Sequence, residues 1–75
     1  MQYKYQVQLE TLHDVAEFVA AINSVEYEVR LTTYDGKYVV SAKSMIGAIA
    51  TMDWNDVWVI SDSEELFNLA RKWII

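Results

Sequence analysis

Along the first nine residues apolar and polar side chains alternate. Tyr3, Tyr5, Val7 and Leu9 fall on one side, and Lys4, Gln6 and Gln8 on the other. That is the period of a strand with one face buried. From Leu12 the period lengthens, and Leu12, Val15, Phe18, Val19 and Ile22 recur at helical spacing. Thr11 precedes this stripe and Asp14 follows three residues later, so Thr11 is the expected N-cap with an acidic partner at the third helical position. Asn23-Ser24 ends the helix. Alternation resumes with Tyr27, Val29 and Leu31 against Glu26, Glu28 and Arg30. Asp35-Gly36 is a hairpin signal, and Lys37 to Ala42 supplies the returning strand. Lys43-Ser44 opens a short helix from Met45 to about Met52, and Asp53 to Asp56 turns the chain. Val57 to Ile60 reads as a fourth strand. Ser61-Asp62-Ser63 caps a last helix, whose apolar stripe is Leu66, Leu69, Ala70 and Trp73.

The predicted order is therefore β-α-β-β-α-β-α, an α+β chain. Strands of one-sided polarity imply a single four-stranded antiparallel sheet with its three helices on one face. Seventy-five residues suffice for one domain, spanning 1–75. At this size folding removes only about 60% of the extended chain's surface from water, and stability is expected to be on the order of 5 kcal/mol. A hydrophobic fraction of 53% supports one compact core and excludes a disordered chain.

With no cysteine, neither a disulfide framework nor a thiolate metal site can form, which favours a reducing, cytoplasmic setting. The alternating N-terminus reads as a strand where a signal peptide would carry an apolar block. The apolar run from Met45 to Met52 is far short of a membrane span. A net charge of −5 repels phosphate backbones, so neither nucleic acid nor membrane is an expected partner.

One local stretch sharpens the picture. Ser41-Ala42-Lys43-Ser44-Met45-Ile46-Gly47 resembles the segment entering the second helix of HPr proteins, where a Lys-Ser pair is followed by two apolar residues and often glycine. Phe18-Val19 and the hydrophobic residues after them are similar to that family's first helix and second strand. HPr is the phosphocarrier of the bacterial sugar phosphotransferase system. The resemblance covers most of the chain and implies an HPr-like open-faced β-sandwich. A ferredoxin-like fold with an added C-terminal helix shares the first six elements and is the competing architecture.

In that family, phosphoenolpyruvate-dependent phosphotransfer runs through a histidine in Gly-Leu-His-x-Arg-Pro-Ala at the start of the first helix. Helix N–H groups hold the phosphoryl oxygens there, and an arginine offsets their charge. The corresponding stretch here is Glu10-Thr11-Leu12-His13-Asp14-Val15-Ala16. An ungapped match anchored on Phe18-Val19 puts Thr11 at the family's histidine and His13 at its arginine. Matching Leu12-His13 to the family's Leu-His requires deleting two residues from the helix. Under either match the arginine and proline are missing, and Asp14 and Glu10 place negative charge beside the only histidine. His13 is the one candidate catalytic residue, and an ordinary residue of the first helical turn is its plain structural reading. His13 and Glu17 share a helical face but lack a third ligand, so no metal site is expected. Nothing implies a cofactor.

Ser44 is expected to cap the second helix. The resemblance adds a regulatory reading, because the serine at this place is phosphorylated by an ATP-dependent kinase in HPr proteins of many Gram-positive bacteria. A phosphate there would gain from the helix N-terminus and from Lys43. The second helix is apolar almost all round. If Ile46, Ile49 and Ala50 pack on the sheet, Met45 and Met52 are simply uncovered. If the helix docks a protein partner, as it does in the family, Met45, Ile46, Ile49 and Met52 carry the contact and Trp54 extends it. Trp73 is expected in the core, and Trp58 on the open sheet face, where aromatics could also pair two copies into a homodimer. Two functional readings follow. The first is a non-catalytic, regulatory or docking HPr-like protein with enzyme I-like or HPr kinase-like partners. The second is a divergent phosphocarrier accepting a phosphoryl group on His13. Whether the chain is an enzyme stays open at this point.

Overall fold

The computed structural model describes every residue, Met1–Ile75. The elements are β1 (Tyr3–Val7), α1 (Leu12–Ile22), β2 (Arg30–Thr32), β3 (Val39–Ser41), α2 (Met45–Ala50), β4 (Val57–Ser61) and α3 (Leu66–Ala70). Short 3-10 turns over Thr51–Asp53 and Arg71–Trp73 extend α2 and α3. This is the order that the hydrophobic periods predict.

The strands form one antiparallel sheet in the order β1-β4-β2-β3. Tyr5 stands opposite Val59, and Leu31 opposite both Val59 and Val40. Tyr3, Tyr5, Val7, Val57, Val59, Leu31 and Val40 therefore share one face. Onto it α1 packs Val15, Phe18, Val19 and Ile22, α2 packs Ala48, and α3 packs Leu66 and Ala70, all within a single core. The other face carries Lys4, Gln6, Arg30, Thr32, Trp58 and Ile60 and has no helix on it. The molecule is an open-faced β-sandwich with its three helices on one side. Its two halves are joined through β2 and β4, whereas a ferredoxin-like sheet has its first and third strands in the middle; the strand order excludes that alternative.

Two of the three predicted caps are present, whereas α3 starts after Glu65 with no side-chain cap, so Ser61-Asp62-Ser63 does not cap it. Thr11 Oγ1 accepts from the Asp14 N–H at 3.1 Å, and the Asp14 carboxylate accepts from the Thr11 N–H at 3.2 Å, a reciprocal capping box. Ser44 Oγ accepts from the Gly47 N–H at 3.1 Å and caps α2.

β3 is shorter than the predicted Lys37–Ala42, covering Val39–Ser41, and three further details differ from expectation, each for a local reason. The second strand covers Arg30–Thr32 rather than starting at Tyr27, because β4 ends at Ser61, whose hydroxyl donates to the Glu28 carbonyl at 2.9 Å in place of a ladder bond. Val29 is nonetheless fully buried. The second helix is α-helical only to Ala50, beyond which it tightens, with the buried Thr51 hydroxyl donating to the Ala48 carbonyl at 2.7 Å. The last helix begins at Leu66, after a turn in which Ser63 Oγ accepts from the Glu65 N–H at 3.2 Å. Beyond it the chain returns to β1: Gln8 N–H donates to the Trp73 carbonyl at 2.9 Å, Ile75 N–H to the Gln6 carbonyl at 3.0 Å, and Ile74 bridges Val7. One sheet edge is thus closed by the C-terminal residues, and β3 is left as the other edge.

Candidate functional site

His13 is the second residue of α1 and its side chain is 80% exposed. Nε2 lies 3.4 Å from Glu17 Oε1, and that same carboxylate pairs with Lys72 at 3.2 Å. The helix start beside it is already occupied from within. Asp14 takes the N–H groups of both Glu10 and Thr11 at 3.2 Å, while Thr11 Oγ1 takes that of Asp14. A phosphoryl group on His13 would meet this carboxylate where the chemistry needs donors and a cation. Glu17 adds a second negative group on the same helical face.

Ser44 lies at the opposite end of α1. Asn23, which follows the helix, donates through Nδ2 to the Val19 carbonyl at 2.9 Å and to the Lys43 carbonyl at 3.1 Å, tying the end of α1 to the start of α2. Eleven helical residues separate the two candidates by roughly 16 Å of helix, so His13 and Ser44 belong to different surfaces. The Lys43 ammonium donates to the Val25 carbonyl at 2.6 Å. That bond engages the charge that the sequence offered to a phosphate on Ser44.

The second helix lies against the core through its small side chains. Ala48 is fully buried, Thr51 nearly so, and a Cβ added at Gly47 would stand 3.2 Å from Val40 Cβ. So close an approach to β3 leaves no room for branched residues beneath the helix. Of the two readings of this helix, the one that packs Ile46, Ile49 and Ala50 on the sheet fails at Ile46, which is 84% exposed, and Ala50 is exposed as well, while Met45, Ile49 and Met52 are partly covered, at 38–39% exposed. Ile46 stands outward, and Met45, Ile49 and, in the turn that follows, Met52 each leave over a third of their surface uncovered beside it.

The tryptophans divide as their positions imply. Trp73 meets Phe18 edge to face at 5.2 Å in the core. Trp58 lies on the open sheet face, half-buried against Tyr34 at 5.1 Å, with Nε1 donating to the Asp56 carboxylate at 2.6 Å. Lys4 Nζ donates to the Tyr34 carbonyl at 2.7 Å and sits 4.7 Å from the Tyr34 ring centre. This cover reduces the open aromatic surface available to a second copy. Trp54 is half-buried and lies 6.1 Å from Tyr38 at an interplanar angle of 32°, so it leads from the second helix toward the β2–β3 hairpin.

There the fold makes something the sequence did not signal. The hairpin loop, residues 33–38, faces the turn at residues 53–56 across a concavity of about 650 Å³. Tyr34, Tyr38 and Trp54 line it together with Asp35, Asp53, Asp56 and Lys37. Asp35 Oδ1 accepts from Thr33 Oγ1 at 2.7 Å and from the Lys37 N–H at 2.9 Å. The Thr33 hydroxyl first, and then the Lys37 amide, hold its carboxyl below the ordinary value of 3.8. Asp56 accepts from the Tyr34 N–H at 3.0 Å, which joins the two loops. Across the whole chain no three His, Asp or Glu groups converge closely enough to hold a metal ion. The only signal in the sequence was tyrosine on both sides of Asp35-Gly36, and it says nothing of what the hairpin would face.

Comparison of the chain with protein-family models, with curated proteins and with solved structures finds no match.

Proposed function

We propose that this chain is a non-catalytic, HPr-like protein-binding domain that receives its partner on the outer face of α2, with Ser44 as its regulatory position. The observation that carries the reading is the inverted burial of α2. Ala48 and Thr51 are buried and Gly47 lies close against Val40, while Ile46 is 84% exposed and Met45, Ile49 and Met52 keep 38–39% of their surface in solvent. An element that spends its small residues inward and its large apolar ones outward suits contact with another protein, and methionine adapts to varied partners. The fold and the Lys43-Ser44-Met45-Ile46-Gly47 resemblance support enzyme I-like and HPr kinase-like proteins as the partners to test. The acidic surroundings of His13 weigh against the phosphocarrier alternative.

Intact-protein mass spectrometry after incubation with phosphoenolpyruvate plus enzyme I, and separately with ATP plus HPr kinase, tests the chemistry. The expected result is no acid-labile phosphoryl group on His13; finding one restores the carrier reading. An acid-stable group on Ser44 establishes the switch. Titration of isotopically labelled protein with the same two proteins tests docking, and chemical-shift changes are expected to centre on Met45, Ile46, Ile49 and Met52. Ile46→Lys should weaken that binding by about tenfold or more, the loss of one good apolar anchor, and leave the fold intact because the side chain is in solvent. Binding that survives the charge places the contact elsewhere.

A further inference from the structure

The concavity between the hairpin loop and the turn after α2 has the composition of a receptor for organic cations. Tyr34 and Tyr38 are exposed and Trp54 is half-buried, so ring surface is accessible around it. Three carboxylates stand among these rings. Asp35 and Asp56 each have one oxygen engaged by the loops, and Asp53 is exposed with no ion-pair partner. Lys37 is the one cation among the lining residues, and its ammonium already lies 5.6 Å from the centre of the Tyr38 ring. Tyr34, which also lines the concavity, has Lys4 Nζ 4.7 Å from its ring centre. Each tyrosine ring thus holds one of the chain's own ammonium groups, which shows the contact twice, and an incoming cation competes with Lys37 at Tyr38. No three of these carboxylates converge on a metal ion, but carboxylates set among aromatic rings suit the ammonium or guanidinium of a basic side chain.

The position of this concavity matters as much as its chemistry. Met52 ends the exposed apolar row of the second helix, and Asp53 and Trp54 follow it directly in the chain. One partner can thus lay apolar side chains on Met45, Ile46, Ile49 and Met52 and place a basic side chain between Trp54 and Tyr38. We infer that the concavity formed by Tyr34, Tyr38, Trp54, Asp35, Asp53 and Asp56 receives a lysine or arginine side chain of the protein that docks on α2. The inference rests on the docking reading and specifies its partner: a segment that is apolar with one basic residue at the edge of the contact, complementary to a chain of net charge −5.

The test uses the full chain and small probes. Amide shifts are followed while N-acetyl-lysine methylamide, N-acetyl-arginine methylamide and the uncharged N-acetyl-norleucine methylamide are added at millimolar concentration. Saturable shifts confined to residues 33–38 and 53–56 are expected with the two cations and not with norleucine. Asp53→Asn and Tyr38→Leu, both at exposed side chains, should each weaken the response by ~2- to 5-fold, the size of one exposed cation–π or ion contact. Lys37→Met should strengthen it by a similar factor, because it removes the cation now resting on Tyr38. Equal shifts with norleucine, shifts spread over acidic residues such as Glu10 and Glu64, or insensitivity to both weakening substitutions would overturn the inference. Failure here with docking at α2 still abolished by Ile46→Lys leaves the docking reading standing, whereas loss of that docking removes both.

Discussion

At the scale of single residues, three side chains carry consequences that can be measured. Asp35 is held ionised by Thr33 and by the Lys37 amide, so its carboxyl should titrate below the ordinary 3.8 in a carbon-detected NMR titration. A group whose folded-state value is depressed supports the fold above the unfolded-state value, and that support fades as pH falls through the folded-state one. The hairpin loop should accordingly loosen only under strongly acid conditions, seen as faster amide exchange at Gly36 and Lys37. Tyr27 presents the opposite case. Its hydroxyl is buried with no hydrogen-bond partner, and an unmet donor costs about 1–3 kcal/mol. Tyr27→Phe should therefore raise the unfolding midpoint in a thermal melt; a fall would show that the hydroxyl has a partner in solution. Ser44 holds α2 by its side chain. Ser44→Ala should cost about 1 kcal/mol, whereas Ser44→Asp retains an N-cap acceptor and should cost far less. Chemical denaturation of the two variants separates them, and makes Ser44→Asp the clean mimic for binding studies.

At the scale of elements, the caps of the first two helices and the strand periods were readable because they depend on near neighbours. Thr11 and Asp14 lie three residues apart, close enough to satisfy each other wherever the helix goes. The hairpin was readable from Asp35-Gly36 for a similar reason. Gly36 takes φ +77 with nothing within 4 Å of an added Cβ, so Gly36→Ala should cost about 1–2 kcal/mol from backbone strain alone. Which face of α2 would be buried was not readable. Every residue from Met45 to Ala50 is apolar or small, and periodicity carries no information where polarity does not alternate. The choice fell to size: only Gly47 and Ala48 tolerate the approach to β3. Gly47→Leu should lift α2 from Val40 and destabilise the fold by on the order of 1–3 kcal/mol, the usual cost of overpacking.

At the scale of the whole molecule, stability is concentrated in one small core with Phe18 near its centre. Phe18 is fully buried and meets Trp73 edge to face. Phe18→Ala should cost about 3–5 kcal/mol, against a total on the order of 5 kcal/mol for a domain this small. The variant is expected to be largely unfolded at room temperature, with collapsed amide dispersion. A folded Phe18→Ala would place the stability well above that of ordinary domains of this length. The candidate surfaces also sort themselves at this scale. His13 and Ser44 lie at opposite ends of α1, while the α2 face and the aromatic concavity are continuous through Trp54, so partner binding can engage the last two together and leave the histidine untouched.

The amino-acid order by itself determined the α+β class, the succession of elements, the caps of the first two helices, the hairpin and most of the core. Each of these follows from a period of two or of 3.6, or from contacts within a few residues of chain. Tertiary structure alone decided the strand order β1-β4-β2-β3, because the pairing of β2 with β4 joins segments some thirty residues apart without any local mark. It also decided the inverted burial of α2, which depended on the space left beside β3. The meeting of Tyr34 and Tyr38 with Asp53, Trp54 and Asp56 was likewise a product of the assembled fold. These three features share one cause: each is set by groups distant in sequence, whose relative positions exist only once the sheet has formed.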